Sequence, residues 1–136
     1  MALSNRVLLD TSAYSALRRG NPEMLRLVQR ADRIVFTPIV IGELLAGFRK
    51  GHQTERNMTE LSRMLESSRV MTVEISRTTA ECYAQIFDGL RRIGKPIPEN
   101  DIWISASAME HGLPIVTADR HFEYVTQVRT QLFSVS

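Results

Sequence analysis

The sequence predicts a single α/β domain of three layers, with a central, mostly parallel β-sheet flanked by helices. Three observations carry the prediction. Short apolar runs rich in Val, Ile and Leu recur along the chain and read as strands buried on both faces. Longer stretches with helical periodicity and cap residues at their starts lie between them, and such alternation of strand and helix calls for parallel pairing. The 136 residues, 43% hydrophobic and 24% charged, suffice for one compact core over residues 1–136 and would be crowded as two domains.

Arg6 to Leu9 (RVLL) is the first strand candidate. Asp10-Thr11-Ser12 behind it are residue types that cap helices, and the helix they open runs through Leu17 to Gly20. Asn21-Pro22-Glu23 sets a cap before a proline at the first helical position, with Leu25, Leu27 and Val28 as the apolar stripe up to Ala31. Arg33 to Phe36 (RIVF) repeats the strand pattern, and Thr37-Pro38 starts a helix that reaches Phe48 and the loop at Arg49–His52. Thr54 to Ser67 is amphipathic, with Met58, Leu61, Met64 and Leu65 on one side. Val70 to Ile75 is a strand candidate, and Ser76 caps a helix over about Arg77 to Ile93 in which Cys82, Ile86 and Leu90 recur at core spacing. Gly94-Lys95-Pro96-Ile97-Pro98 cannot continue it. Asn100 or Asp101 is expected to cap the next helix, which ends at about His111 before Gly112-Leu113-Pro114. Ile115 to Thr117 is a strand, Asp119 opens a short helical turn, and Leu132 to Val135 is expected as a last edge strand.

No apolar run approaches the roughly 18 to 20 residues of a membrane span, and Asp10 interrupts the first apolar stretch too early for a secretory signal. The expectation is a soluble, cytoplasmic protein with no membrane partner. Cys82 is the single cysteine, which excludes an internal disulfide and a cysteine-based zinc site. Net charge is +2, and all but two of the 17 basic residues are arginine, whose planar fork suits phosphate.

The acidic residues carry the chemistry. In an open parallel sheet the site lies outside the carboxyl ends of the strands, and two such ends bear aspartates, Asp10 after RVLL and Asp119 after IVTA. Each has an alternative as a helix cap. Glu43 has Ile39, Val40, Ala46 and Gly47 as its helical neighbours, a stripe expected to face the sheet, so its carboxylate needs either an arginine partner or a metal ion. Asp101 precedes Ile104, Ser105 and Ala108 on one helix face, and Asn100 competes with it for the cap. Two like charges about 5 Å apart repel by roughly 3 kcal/mol at an effective dielectric of 20. If the four converge, some protonate or a divalent cation sits among them, and an all-oxygen set favours Mg²⁺ or Mn²⁺. Ions of that kind bind substrate phosphates, which points to phosphodiester hydrolysis by a metal-activated water.

VLLDTSAY near the N-terminus, Glu43 in PIVIGELLAG, NDIWISASA with Asp101 and IVTADRHF with Asp119 together resemble the PIN-domain ribonucleases, and more closely the VapC-type toxins of bacterial toxin-antitoxin pairs. The resemblance spans nearly the whole chain. It implies a PIN-like fold, a Mg²⁺- or Mn²⁺-dependent endoribonuclease acting on RNA, and a catalytic, metal-holding quartet of Asp10, Glu43, Asp101 and Asp119. It also implies supporting hydroxyls at Thr11 and Thr117, a homodimer, and a cognate antitoxin protein that holds the enzyme inactive.

Arg120, next to Asp119, is the expected phosphate contact, with Arg18-Arg19, Arg49-Lys50, Arg91-Arg92 and Lys95 as further cations at helix ends or loops. Glu99 is either a fifth carboxylate at the rim or a solvated loop residue. His121 stays outside the catalytic set, because a single His beside Phe122 also serves structure alone. An aspartyl-nucleophile phosphatase would need a second Asp where Ser12 stands. A non-catalytic RNA-binding or scaffold domain is the alternative function, with the acids as caps only.

Overall fold

The computed structural model describes residues 5–135. The chain runs β1 (Arg6–Leu9), α1 (Thr11–Arg18), α2 (Pro22–Arg30), β2 (Arg33–Phe36), α3 (Pro38–Lys50), α4 (Thr54–Glu66), β3 (Val70–Thr72), α5 (Arg77–Ile93), α6 (Glu99–His111) and β4 (Ile115–Thr117), then a 3₁₀ turn (Arg120–Tyr124) and β5 (Thr130–Leu132). The five strands form one sheet in the order β3-β2-β1-β4-β5, with every neighbouring pair parallel. The predicted α/β class and the alternation behind it are therefore correct.

Consecutive residues of the inner strands all lose their solvent: Val7, Leu8 and Leu9, then Ile34, Val35 and Phe36, then Ile115, Val116 and Thr117. Side chains alternate between the two faces of a strand, so burial of all three means that helices cover both faces. The helices also pack onto one another, and Cys82, Ile86 and Leu90 of α5 close a second apolar cluster with Ile102 and Ala106 of α6. Glycines end two helices as predicted, Gly94 at φ 66° and Gly112 at φ 65°, a left-handed conformation in which any other residue is strained.

Three boundaries differ from expectation, each for a tertiary reason. The strand expected over Val70–Ile75 stops at Thr72, because its partner β2 ends where Thr37 caps α3; Val73 N–H makes the last bond, to the Phe36 carbonyl. The last strand lies at Thr130–Leu132 rather than Leu132–Val135, since β4 offers only Ile115 to Thr117 to pair with. Neither Asn100 nor Asp101 caps α6. That helix starts at Glu99 with Pro98 at the cap position and no side-chain cap bond.

The strand order locates the site. From β1 the chain steps through β2 to the β3 edge, then crosses back past β1 to β4 and the β5 edge. The order reverses between β1 and β4, and at such a switch point the loops after the two strands diverge and leave a crevice at the sheet's carboxyl end. Asp10 follows β1 and Asp119 stands two residues beyond β4.

Candidate active site

Asp10 is 4% exposed and the most tightly held of the four acids. It caps α1, with Oδ1 accepting from Ala13 N–H at 2.9 Å and from the Ser12 hydroxyl at 2.7 Å, while Oδ2 accepts from the Thr117 hydroxyl. Both hydroxyls are held in turn: Ser12 Oγ accepts Ala118 N–H at 3.0 Å, and Thr117 Oγ1 accepts Asp119 N–H at 2.9 Å. Each hydroxyl has one proton, so these backbone donors leave it aimed at Asp10. Burial nevertheless pushes the Asp10 carboxyl above the usual carboxylate range; the three hydrogen bonds oppose that shift and the charge of Asp119 adds to it.

Asp119 is exposed, and although it stands at the cap position of the 3₁₀ turn its side chain makes no cap bond. The cap reading thus accounts for part of what Asp10 does and nothing of Asp119. Glu43 is half-buried; Oε1 accepts from the Thr11 hydroxyl at 3.0 Å and Oε2 from the Asn100 amide at 3.5 Å. No arginine pairs with it among the described residues. Its expected orientation needs correction, because the buried stripe of α3 is Val40, Leu44 and Phe48, whereas Ala46 and Gly47 are exposed. Glu43 therefore lies at the rim of the sheet contact rather than against the sheet.

Asp101 lies in the first turn of α6 with Oδ2 2.7 Å from His121 Nε2. Burial raises its carboxyl pKa, His121 opposes the rise, and the charges of Glu43 and Asp10 add to it. Asp10, Thr11, Ser12, Glu43, Asn100, Asp101 and Asp119 line one cavity of about 220 Å³, closed by Pro98 and Ile104. Four carboxylates from four elements thus face a common space. Among the described residues no three His, Cys, Asp or Glu side chains form a ready-made metal cage. The all-oxygen lining suits a hard divalent ion that keeps several waters and meets the protein through one or two carboxylates, and such an ion would offset the mutual repulsion of Asp10, Asp101 and their neighbours.

The remaining candidates separate. Thr117 is fully buried beneath the site, and Thr11 is at its wall on Glu43. Arg120 does not line the acidic cavity; it pairs with Glu123 at 3.3 Å and lines a neighbouring depression with Glu23, Ala118 and Phe133. Glu99 lies outside the cavity, accepting from the Tyr83 hydroxyl at 3.0 Å. Three residues take roles at the site that the sequence reading does not give them: Ser12 and Asn100, read there as cap residues, and His121, kept there outside the catalytic set. Ser12, two positions after Asp10, carried a usable signal, whereas nothing local shows that His121 meets a helix 20 residues earlier in the chain.

A family model for the PIN domain matches residues 7–127. The chain belongs to the PIN-domain family. Within it the chain is 33% identical over 129 residues to Ribonuclease VapC2 of Haemophilus influenzae, an alignment covering 93% of this chain and 96% of that protein. Ribonuclease VapC5 of Mycobacterium tuberculosis is 27% identical over 115 residues, covering 85% and 84%. Among solved structures, DNA-bound VapBC from Salmonella typhimurium superposes with a TM-score of 0.80 at 25% identity, covering 95% of this chain and 98% of that one. VapBC2 from Rickettsia felis, bound to a fragment of its promoter DNA, shares the fold with a TM-score of 0.82 at 22% identity, covering 95% and 99%. The likeness to VapC-type PIN proteins therefore extends over nearly the full length.

Proposed function

We propose that this chain is a metal-dependent endoribonuclease, the toxin of a toxin-antitoxin pair, in which Asp10, Glu43, Asp101 and Asp119 hold Mg²⁺ or Mn²⁺ and hydrolyse RNA phosphodiester bonds. The observation that carries this reading is the convergence of the four acids on one cavity at the switch point of a parallel sheet, in a chain of the PIN family with VapC ribonucleases among its relatives. When bound, the ion lowers the pKa of a coordinated water and draws charge from the scissile phosphate.

The chain's own residues supply position. Thr117 and Ser12 fix both oxygens of Asp10, so this carboxylate cannot turn away as substrate enters. Thr11 and Asn100 do the same for Glu43. Asp119 has no side-chain partner at its carboxylate among the described residues and is the acid left to face the incoming phosphodiester or its attacking water. Arg120, one residue on and exposed, is assigned to flanking RNA phosphates rather than to the scissile one.

The partners that follow are an RNA substrate, a cognate antitoxin protein and a second copy of the chain in a homodimer. The VapBC complexes among the structural neighbours support the antitoxin. The test is cleavage of total cellular RNA by the purified, antitoxin-free chain with manganese or with EDTA, alongside Asp10→Asn. Discrete fragments that require both metal and Asp10 are expected. Equal cleavage in EDTA, or by the variant, refutes the mechanism.

A further inference from the structure

The contact between His121 and Asp101 is a polar bridge at the site that the proposed mechanism does not use. His121 sits in the 3₁₀ turn two residues after Asp119, while Asp101 sits in the first turn of α6. Nε2 lies 2.7 Å from Asp101 Oδ2, with side-chain exposures of 28% for the imidazole and 17% for the carboxylate. An ionised carboxylate oxygen can only accept, so the proton in this bond is on Nε2. The ring also packs at 4.9 Å against Phe122, whose own side chain is buried at 1% exposure, which limits how far the imidazole can swing.

His121 does not line the acidic cavity, whereas Asp101 does. The imidazole therefore approaches the carboxylate from outside. Oδ2 is committed to it, and Oδ1 has no hydrogen-bond partner among the described residues. The same bond ties the turn that follows Asp119 to the helix that carries Asp101, and so joins the supports of two of the four acids. Asp10 and Glu43 are each held by hydroxyls; for Asp101 the imidazole is the holding group.

We infer that His121 is a positioning residue: its Nε2–H fixes Oδ2 of Asp101 so that Oδ1 alone is offered to a cation in the cavity, and it anchors the Asp119 turn against α6. The inference rests on the metal-dependent reading above. It assigns His121 no contact with RNA and no proton transfer.

The test is the Mn²⁺ dissociation constant of the full-length chain, read from the free-ion signal by electron paramagnetic resonance at one fixed pH. His121→Phe keeps the ring and removes the donor. His121→Gln keeps an N–H at similar reach, and His121→Asn keeps the amide but shortens that reach. Outer partners of metal-holding groups are worth about 10- to 100-fold in affinity. His121→Phe and His121→Asn are expected to weaken Mn²⁺ binding by about that factor, with His121→Gln recovering most of it, and cooperative thermal unfolding in EDTA checks that each variant is folded. Should the Phe variant fail to fold, the Gln and Asn pair carries the comparison. Equal Mn²⁺ affinity in wild type, Gln and Asn variants overturns the inference and leaves the proposed function standing. A wild-type chain that binds no Mn²⁺ overturns both.

Discussion

Replacing Asp10 by Asn is expected to make the metal-free protein more stable while abolishing cleavage. The carboxylate is 4% exposed and accepts three hydrogen bonds. An amide keeps two of them, since its oxygen still takes Ser12 and Ala13. Its NH₂ then faces Thr117 Oγ1, which already accepts Asp119 N–H; either the Thr117 proton turns away and the oxygen accepts the amide as well, or the bond is lost at a cost of about 1 kcal/mol. Against this stand burial of a charge and repulsion by neighbouring carboxylates. One such repulsion at about 5 Å is worth roughly 3 kcal/mol at an effective dielectric of 20, and less here because Asp119 is solvated. The raised Asp10 pKa decides the sign: even with all three hydrogen bonds in place, burial and the charge of Asp119 leave the ionised carboxylate less favourable in the folded chain than in the unfolded one. A net gain of about 1 to 2 kcal/mol, or about 3 to 8 °C in Tm, follows near pH 7 in EDTA.

The pH dependence has a definite sign. Because burial raises the Asp10 and Asp101 pKa values above those of the unfolded chain, the native chain binds more protons than the unfolded one, so this stability is fully present below about pH 4 and is lost as pH rises through the raised values. The Asn variant should lose less over that window, retaining only the Asp101 contribution. Manganese at 100 times its Kd should then add about 2.7 kcal/mol to the wild type and much less to the variant, so the order of Tm values reverses. Thermal unfolding at several pH values, with EDTA and with Mn²⁺, reads all of this. An Asn variant that unfolds below wild type in EDTA at pH 7 would refute the claim that burial and repulsion outweigh the hydrogen bonds.

Other substitutions separate the roles at the site. Thr117→Val removes the donor to Asp10 and the acceptor for Asp119 N–H from a fully buried position, and should cost about 2 to 3 kcal/mol in urea unfolding; a change below about 0.5 kcal/mol would contradict the network. Glu43→Gln keeps an acceptor for Thr11 at a half-buried rim, so stability should move by no more than about 0.5 kcal/mol. RNA cleavage by that variant should fall by about 100-fold or more, measured under single-turnover conditions. Glu99→Gln keeps an acceptor for the Tyr83 hydroxyl and removes a carboxylate that lies outside the cavity, so it should leave cleavage within about twofold, an outcome that a fifth catalytic carboxylate at Glu99 would not permit.

The sequence makes the sheet and the acids at its strand ends legible because both are local. Val7 to Leu9 and Ile34 to Phe36 are unbroken apolar runs, and an aspartate just after such a run has no alternative but the carboxyl edge of the sheet. The reading fails where a partner decides. Strands β3 and β5 end where β2 and β4 end, a limit set by the other strand and invisible in residues 70–75 or 130–135. Asn and Asp are strong cap types and place the start of α6 at residue 100 or 101, yet Pro98 takes the cap position and releases Asn100 to Glu43 and Asp101 to His121. Sequence adjacency to Asp119 points Arg120 at the same space, but the turn sends neighbouring side chains to different sides. The role of His121 is hidden in the sequence for the same reason, since its partner Asp101 meets it only once α6 and the turn are packed.

The way the four acids are held differs, and the difference follows from where each stands. Asp10 lies at the centre of the sheet, where an unsatisfied carboxylate would cost most, and it has three donors. Glu43 and Asp101, on helices at the rim, are half-buried and have two donors and one. Asp119, in the turn beyond β4, is solvated and has none at its side chain. The number of hydrogen bonds thus falls with exposure, as a folded chain needs for stability whatever its function. Stability alone does not explain why the charge of Asp119 raises the Asp10 pKa, and the charges of Glu43 and Asp10 that of Asp101, around a cavity that no Lys or Arg lines among the described residues. A core that needed only caps would be better served by Asn or Ser at position 10, because either would satisfy Ala13 N–H without the repulsion. The retained charge is a cost that a bound divalent ion would remove, and the Asp10→Asn measurement, made with and without Mn²⁺, tests for that asymmetry.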